Sequence, residues 1–586
     1  MLSRFNMVRL SVPLSWLVRM WRRTLDRIRR LTHSRAAWML GLIALVHFWV
    51  FSYQPGINNP NENVRFYMTA AMVEQHTYAI DAMRARWGWT NDAAVKDGHF
   101  YSAKAPGTSE LGVPAYAAYY YGCRALGVPV DRVAALWVCR TFASIVPALL
   151  FAAFFRRFLR RRTPAEADPK ETLVDATLVS TMLGSLLLAY SPSFVSHTQS
   201  AVVAFVAFDL LRRSRAEERS GSFRLAFAAG LLAACVTYFE YPCAPVSAAL
   251  VFYALVALRP SRYPFFALGA LIPVLLVMHF QWKTFGNAFT PGHLFLEDPG
   301  FRAQHRTGLF GLNGFHTEGL SLLTSPGYGL FPLTPLFCLA PLGLVILLRR
   351  PRERLDALVA LAGFVFPVLA TISFAHWRGG WAVGPRHIAV VVPFVAWFAY
   401  EGLLLLAQRG RDLAAAIALA TMLVGLFLSG VPSLWYPHVP EYFERPLPQL
   451  FFTLISHDYA PLTLLSVFGI YGSAALAPLL AIPAWLTLRL VAAARRRLLV
   501  LVAAAALGLV LLLPSLVVSR PASEDIRRGT RFITSHWSPA GHDRVARVRA
   551  EIGGQNDPKR IRLLAALLDG EYRDAEAAAV LRRLAP

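Results

Sequence analysis

Long uninterrupted apolar runs recur along this 586-residue chain, many of them exceeding the roughly 18 residues that cross a bilayer. They alternate with short loops in which arginines cluster: Arg156-Arg157 with Arg160-Arg161-Arg162, Arg212-Arg213, Arg349-Arg350 and Arg495-Arg496-Arg497. This pattern allows few folds. A membrane β-barrel alternates apolar and polar residues and has no such runs, and a soluble chain that is 56% hydrophobic would aggregate. The pattern therefore predicts an all-α polytopic membrane protein. The net charge of +24 does not point to nucleic acid, because the arginines lie between apolar runs, as in the cytoplasmic loops of membrane proteins.

About 13 transmembrane helices are expected, near residues 36–53, 133–155, 172–190, 194–211, 225–241, 243–258, 265–282, 331–348, 357–374, 388–407, 413–430, 472–492 and 498–518. This register puts the N-terminus and every arginine-rich loop in the cytoplasm and the C-terminus outside. Residues 108–126 contain Arg124 and three consecutive tyrosines, and they are expected to form an interfacial helix on the outer face. Were they to cross, the arginines at 156–162 would fall outside. Residues 461–471 are either re-entrant or part of a longer span. Residues 1–35 carry nine arginines and one acid, Asp26, with Leu14, Leu17, Trp21, Leu25 and Ile28 at near-helical spacing. They read as a basic amphipathic segment on an anionic inner leaflet, leading into an uncleaved signal anchor. The domain division is then this segment, a transmembrane domain over 36–518, and a soluble outer tail over 519–586. That tail is either a small helical domain or loosely ordered.

The polar mass is concentrated in a long first outer loop, residues 55–132, where a spanning protein needs only a short turn. Its acids Glu62, Asp81 and Asp92 are candidate catalytic bases. Glu62 and Arg65 are three residues apart and share a helix face, so Arg65 is expected to keep Glu62 ionised. Tyr67, His99 and Tyr101 are candidate substrate contacts. Lys104, placed before Ala-Pro-Gly at a sharp helix entry, either meets a lipid phosphate or snorkels to headgroups. A later outer stretch, His376 to His387, places Trp377, Arg378, Arg386 and His387 among glycines that allow close backbone approach. Lys104, Arg378 and Arg386 are expected to converge on one phosphate-binding cavity. Glu240, at the outer end of a span, either binds sugar hydroxyls or pairs with an outer-loop arginine. His197 and His279 are expected to be satisfied polar residues at span ends. The five cysteines show neither zinc nor disulfide spacing, and no ligand cluster requires a metal or other cofactor.

Asn61-Glu62, Arg65 and Tyr67, followed by Tyr101-Ser102-Ala103-Lys104-Ala105-Pro106, resemble two first-loop motifs of the GT-C superfamily of membrane glycosyltransferases. The chain is similar in this to the protein O-mannosyltransferases and the lipid A aminoarabinose transferase. Those proteins carry an acidic pair followed by Arg-Tyr, and later Tyr-x-x-Lys-x-Pro. Here Asn61 replaces the first acid, so the base is either Glu62 or one of the later acids, Asp81 and Asp92. The resemblance implies a GT-C-like fold and an inverting transfer from a polyprenyl-phosphate-linked sugar to a glycolipid, polysaccharide or protein. It implies action on the outer face of the cytoplasmic membrane, with membrane lipids and no nucleic acid as partners. The rival readings are a transporter or flippase for a lipid-linked sugar and a non-catalytic envelope assembly protein with a degenerate GT-C fold.

Overall fold

In a computed structural model the chain is described over residues 34–53, 59–164, 166–168, 170–216, 222–306, 317–374, 377–518, 522–537, 544–554 and 557–584. Residues 1–33 of the basic amphipathic segment, the 54–58 stretch of the first loop, and His376 lie outside these residues. Helices dominate. Seven of those described are long and apolar enough to cross a membrane: Arg132–Arg162, Pro260–Phe285, Arg354–Ile372, Arg386–Arg409, Arg411–Trp435, Ser473–Ala493 and Arg497–Leu516. Other expected spans are shorter or interrupted. The 172–190 span, for example, is split into Thr172–Met182 and Leu186–Tyr190. The split contains Gly184, where a Cβ would lie 3.1 Å from the backbone of Gly425, so two chain segments touch there without side chains between them.

The helix Arg386–Arg409 is the hub, with 94% of its apolar window buried, against 22% for Pro260–Phe285 and 17% for Arg497–Leu516. A helix that is apolar all round is stable at the centre of a bundle, whereas peripheral helices turn one face to lipid. Leu268, Leu271, Leu509 and Val510 lie on such outward faces.

The two ends of the bundle differ in charge chemistry. At one end Arg156 binds Asp175 at 2.9 Å, Arg162 pairs with Glu353 and Glu401, Arg350 reaches Glu401 at 3.0 Å, and Arg215 reaches Asp356 at 3.0 Å. At the other end lies the first loop. The helix Arg132–Arg162 connects them, since Arg132 donates to Asn63 at 2.9 Å and Arg140 holds Glu62. From Arg140 to Arg162 the rise is roughly 33 Å, close to the thickness of a bilayer core.

Within the first loop a helix, Pro60–Glu74, is followed by Asp81–Trp87 and by a hairpin of Ala93–Lys96 and His99–Ser102. The hairpin turns on Asp97 and Gly98, both at positive φ, as a tight two-residue turn requires. The helix Gly107–Leu126 packs beside Pro60–Glu74, with Thr69 donating to the Ser109 carbonyl at 2.9 Å, and it is not among the seven candidate spans.

Beyond the last candidate span, helices Glu524–Ser535, Arg544–Ile552, Pro558–Gly570 and Asp574–Leu581 follow. The last three share a small core of Val545, Val548, Ile561, Leu564 and Leu568. They sit on the 457–459 turn, where His457 contacts the Leu567 carbonyl at 2.8 Å and Tyr459 donates to Glu571 at 2.7 Å.

Candidate active site

The Pro60–Glu74 helix starts sharply because Asn59 caps it, accepting from the Glu62 amide at 3.4 Å, and Pro60 occupies the first turn. Residues 61 to 71 of this helix are all buried, so it is an internal strut and has no solvated face. That changes how Glu62 is paired. Arg65 was the expected partner, but Glu62 instead accepts two hydrogen bonds from Arg140, both at 2.6 Å, and a third from the Phe194 amide at 2.6 Å. Burial would raise its carboxyl, but the charge and hydrogen bonds of Arg140 and the Phe194 amide outweigh burial and hold it below the usual carboxylate range. Asn59 also touches His438 at 3.2 Å, and burial pushes that imidazole down to about 4, leaving it neutral.

Arg65 turns the other way. It donates to the Asn61 carbonyl at 2.9 Å and the Ser196 hydroxyl at 2.8 Å, and it lies 3.8 Å from Glu240. Of the two roles open to Glu240, the structure shows pairing with an outer-loop arginine. The Glu240 carboxylate also accepts from Ser196 and lies 3.3 Å from His197 Nδ1.

The hairpin joins two residues that the sequence separates. Its register pairs Ala93 with Ser102, so Asp92 and Ala103 come next, and Ala103 donates to the Asp92 carbonyl at 3.2 Å. Lys104 therefore lands 3.1 Å from the Asp92 carboxylate. Asp92 has φ +64, a conformation non-glycine residues rarely adopt, held here by its amide bond to the Asn91 side chain at 3.0 Å. Burial would raise the Asp92 carboxyl, but Lys104, then Arg386 and Arg65, lower it below the ordinary range. Asp92 and Lys104 side chains are each 26% exposed, so this pair remains open to an incoming molecule.

Lys104, Arg65 and Arg386 all act electrostatically on His197, and Arg386 and Lys104 also act on His387. The two imidazoles stand edge to face, 6.4 Å apart. Four side-chain nitrogens here are shielded from solvent without a hydrogen-bond partner among the described residues: Arg65 Nε, Arg386 Nε, His197 Nε2 and His387 Nδ1. His197 is thus not the satisfied span-end residue that was expected. Gly379, at φ +78, lies against this cluster, and a Cβ there would stand 2.9 Å from His387 Nε2 and 3.0 Å from Arg386 Nε.

The other expected residues sit apart. Arg378 lies under the Tyr328 ring at 4.9 Å and beside Trp377 at 5.6 Å, in a small neighbouring cavity with Val383 and Glu441. Lys104 and Arg386 share the Asp92 surroundings, and Arg378 reaches Arg386 only through Tyr328, on which both charges act. Asp81 accepts from the Phe100 amide at 3.3 Å and meets His99 at 3.5 Å, tying the hairpin to the Asp81–Trp87 helix. Tyr67 donates to the Trp87 and Gly88 carbonyls, and Tyr101 packs edge-on to Phe285 at 6.0 Å, so both brace the loop. Arg140 and His197 were missed. The signal for the Asp92–Lys104 contact was the Asp97-Gly98 dipeptide, which marks a tight hairpin. Among the described residues, no group of three or more His, Cys, Asp or Glu is arranged to hold a metal ion.

A lateral apolar groove of about 930 Å³ runs between the helices Ala244–Ala257 and Arg354–Ile372, lined by Pro245, Phe252, Val256, Leu358, Phe366 and Ser373. Its Ser373 end adjoins Phe374, whose ring stands edge-on to His387 at 6.0 Å.

Fold and site together define a polytopic helical membrane protein with a cluster of cations at one end of its bundle. No family model and no curated protein matches the chain. Among solved structures it is similar to ArnT from Cupriavidus metallidurans bound to undecaprenyl phosphate, at 15% identity over 89% of this chain and 78% of that one, with a TM-score of 0.42. It is also similar to the archaeal oligosaccharyltransferase AglB from Archaeoglobus fulgidus in complex with an inhibitory peptide and a dolichol-phosphate, at 13% identity over 70% of this chain, with a TM-score of 0.38. The match spans 56% of that oligosaccharyltransferase's length. The apo form of the Archaeoglobus fulgidus oligosaccharyltransferase aligns at 11% identity over 72% of this chain and 58% of that one, with a TM-score of 0.39. No residue role passes from these structures to this chain.

Proposed function

We propose that the protein is a membrane glycosyltransferase that moves a sugar from a polyprenyl-phosphate donor to an acceptor hydroxyl, at the end of the bundle that carries the first loop. One observation carries the reading: two shielded guanidinium nitrogens without partners among the described residues, Arg65 Nε and Arg386 Nε, stand with Lys104 around Asp92. A buried unpaired donor costs about 1–3 kcal/mol, so two of them beside a lysine suit an acceptor-rich group such as phosphate. An apolar groove beside them suits an isoprenoid chain. The first-loop resemblance to GT-C enzymes supports the same donor class.

In this reading Asp92, and not Glu62, is the base. Glu62 has its carboxylate oxygens taken up by Arg140 and the Phe194 amide. Asp92 is partly exposed and has one close partner, Lys104. The acceptor oxygen attacks the anomeric carbon and its proton passes to Asp92. The carbon–oxygen bond to phosphate breaks, and its electron pair stays on the phosphate, where Lys104, Arg65 and Arg386 offset the charge. Direct displacement inverts the anomeric centre. The arginine networks at the far end of the bundle support a site on the outer face of the membrane, by the positive-inside rule. The acceptor is a hydroxyl of a glycolipid, a polysaccharide or a protein.

The test uses the full chain in lipid nanodiscs with undecaprenyl phosphate. Binding is expected, and Arg386→Ala should weaken it about ten- to hundredfold, the scale of a lost charged hydrogen bond. Intact-glycolipid and glycoprotein mass spectrometry of cells with and without the protein should show one sugar missing. Absence of binding in the native protein would sink the reading.

A further inference from the structure

Next to the cationic cluster lies a wall of a different kind, and the mechanism above does not use it. Gly107 starts the Gly107–Leu126 helix pressed against the end of the apolar helix Ser222–Phe239, where a Cβ would stand 2.7 Å from the Tyr238 carbonyl. One turn later Glu110 accepts a hydrogen bond from the Tyr238 hydroxyl. Among the described residues Glu110 has no cation among its close partners, and burial pushes its carboxyl up. Tyr78 and Tyr241 both lie within electrostatic reach of Glu110. Gln281 donates to the Tyr241 hydroxyl at 3.3 Å. Tyr241 directly follows Glu240 and lies within reach of Arg65, which joins this wall to the cluster. Glu110, Tyr78 and Tyr241 are all partly exposed.

We infer that Glu110, Tyr78, Tyr241 and Gln281 form a subsite that reads the hydroxyl groups of the transferred sugar. The chemistry of the wall is the reason. It offers phenol hydroxyls, an amide and a carboxyl group on aromatic faces without a cation among them, which match a hydroxylated ring and do not match a phosphate. Its Tyr241 lies within reach of Arg65, one of the cations proposed to hold the phosphate. A site built to hydrogen-bond a substrate hydroxyl discriminates strongly against an analogue that lacks it, because its own polar groups are then left unpaired.

The inference rests on the proposed function, and the experiment separates the two. Full-length protein in nanodiscs is titrated with undecaprenyl phosphate and with the same lipid phosphate carrying glucose, mannose, galactose or 4-amino-4-deoxyarabinose. The native protein should bind at least one sugar-loaded lipid more tightly than the bare lipid. Tyr241→Phe should erase about five- to tenfold of that preference, the scale of one neutral hydrogen bond or two, with bare-lipid affinity unchanged. Glu110→Leu should also lose the preference, and Glu110→Gln, which has a neutral donor and acceptor, should retain most of it. The inference is overturned if no sugar-loaded lipid is preferred, if the variants weaken bare and loaded lipids equally, or if Glu110→Gln behaves like Glu110→Leu. Failure of the native protein to bind even bare lipid would sink the glycosyltransferase reading itself.

Discussion

Glu62 and Asp92 are both acids of the first loop, and their partners and burial give them opposite consequences. Glu62 is 3% exposed and bound twice by Arg140. Glu62→Gln leaves the Arg140 charge buried without its counter-ion, which costs about 3–5 kcal/mol. The expected outcome is a large drop in melting temperature, measured by thermal unfolding in detergent. A Glu62→Gln protein with native stability and no turnover would return the base to Glu62. Asp92→Asn, at a partly exposed position, should leave stability nearly unchanged and cut turnover by about 10²-fold, the scale of a lost general base. Its pH behaviour follows from sign. The folded carboxyl is held below its unfolded value of about 3.9, so the stability it contributes is present above that pH and is lost as pH falls through the lower folded value. The acid limb of turnover should therefore lie below the ordinary aspartate range. Lys104→Met removes the largest lowering charge and should move that limb upward. A limb that does not move would mean a different group is titrating.

At the scale of elements, the glycine-rich stretch before Arg386 fits only because of one backbone conformation. Gly379→Ala pays a left-handed backbone penalty of about 1–2 kcal/mol and pushes a Cβ into His387 and Arg386. Gly380 is the matched control, at φ +69 with open space around its missing Cβ. Both alanine variants should lose similar stability, but only Gly379→Ala should also weaken undecaprenyl phosphate binding, by roughly tenfold. Equal binding loss in the two would mean that the stretch acts through backbone strain alone.

For the whole molecule, the expected orientation puts the first loop and the C-terminal helices on the same, outer face. Ser109 is fully buried under Thr69 and cannot report accessibility, whereas Leu126 is 78% exposed at the end of the same helix. In a background without the native cysteines, Leu126→Cys and Ser523→Cys should both react with a membrane-impermeant maleimide from outside. Arg161→Cys, at the far end of the helix Arg132–Arg162, should react only after the membrane is opened. Labelling of Ser523→Cys and Arg161→Cys from one side would overturn the orientation.

The membrane class and the helical architecture were legible in the sequence, and Lys104 and Arg386 stood out there as candidates. Each follows from local rules: apolar run length against bilayer thickness, arginine placement, and glycine or proline at helix entries. The pairing of the charges was not legible. Arg65 stands three residues from Glu62, and that spacing makes neighbours on a solvated helix face. Here the helix is buried on every side, so burial lets each charge pair with whichever opposite charge another element brings close. Arg140, 78 residues away, takes Glu62, and Glu240 comes within 3.8 Å of Arg65. Asp92 and Lys104 meet because a hairpin register sets them side by side. Sequence determines which residues are charged and which segments are apolar. Only the tertiary structure decided which charges are matched with each other and which nitrogens, like those around His197 and His387, have no partner among the described residues.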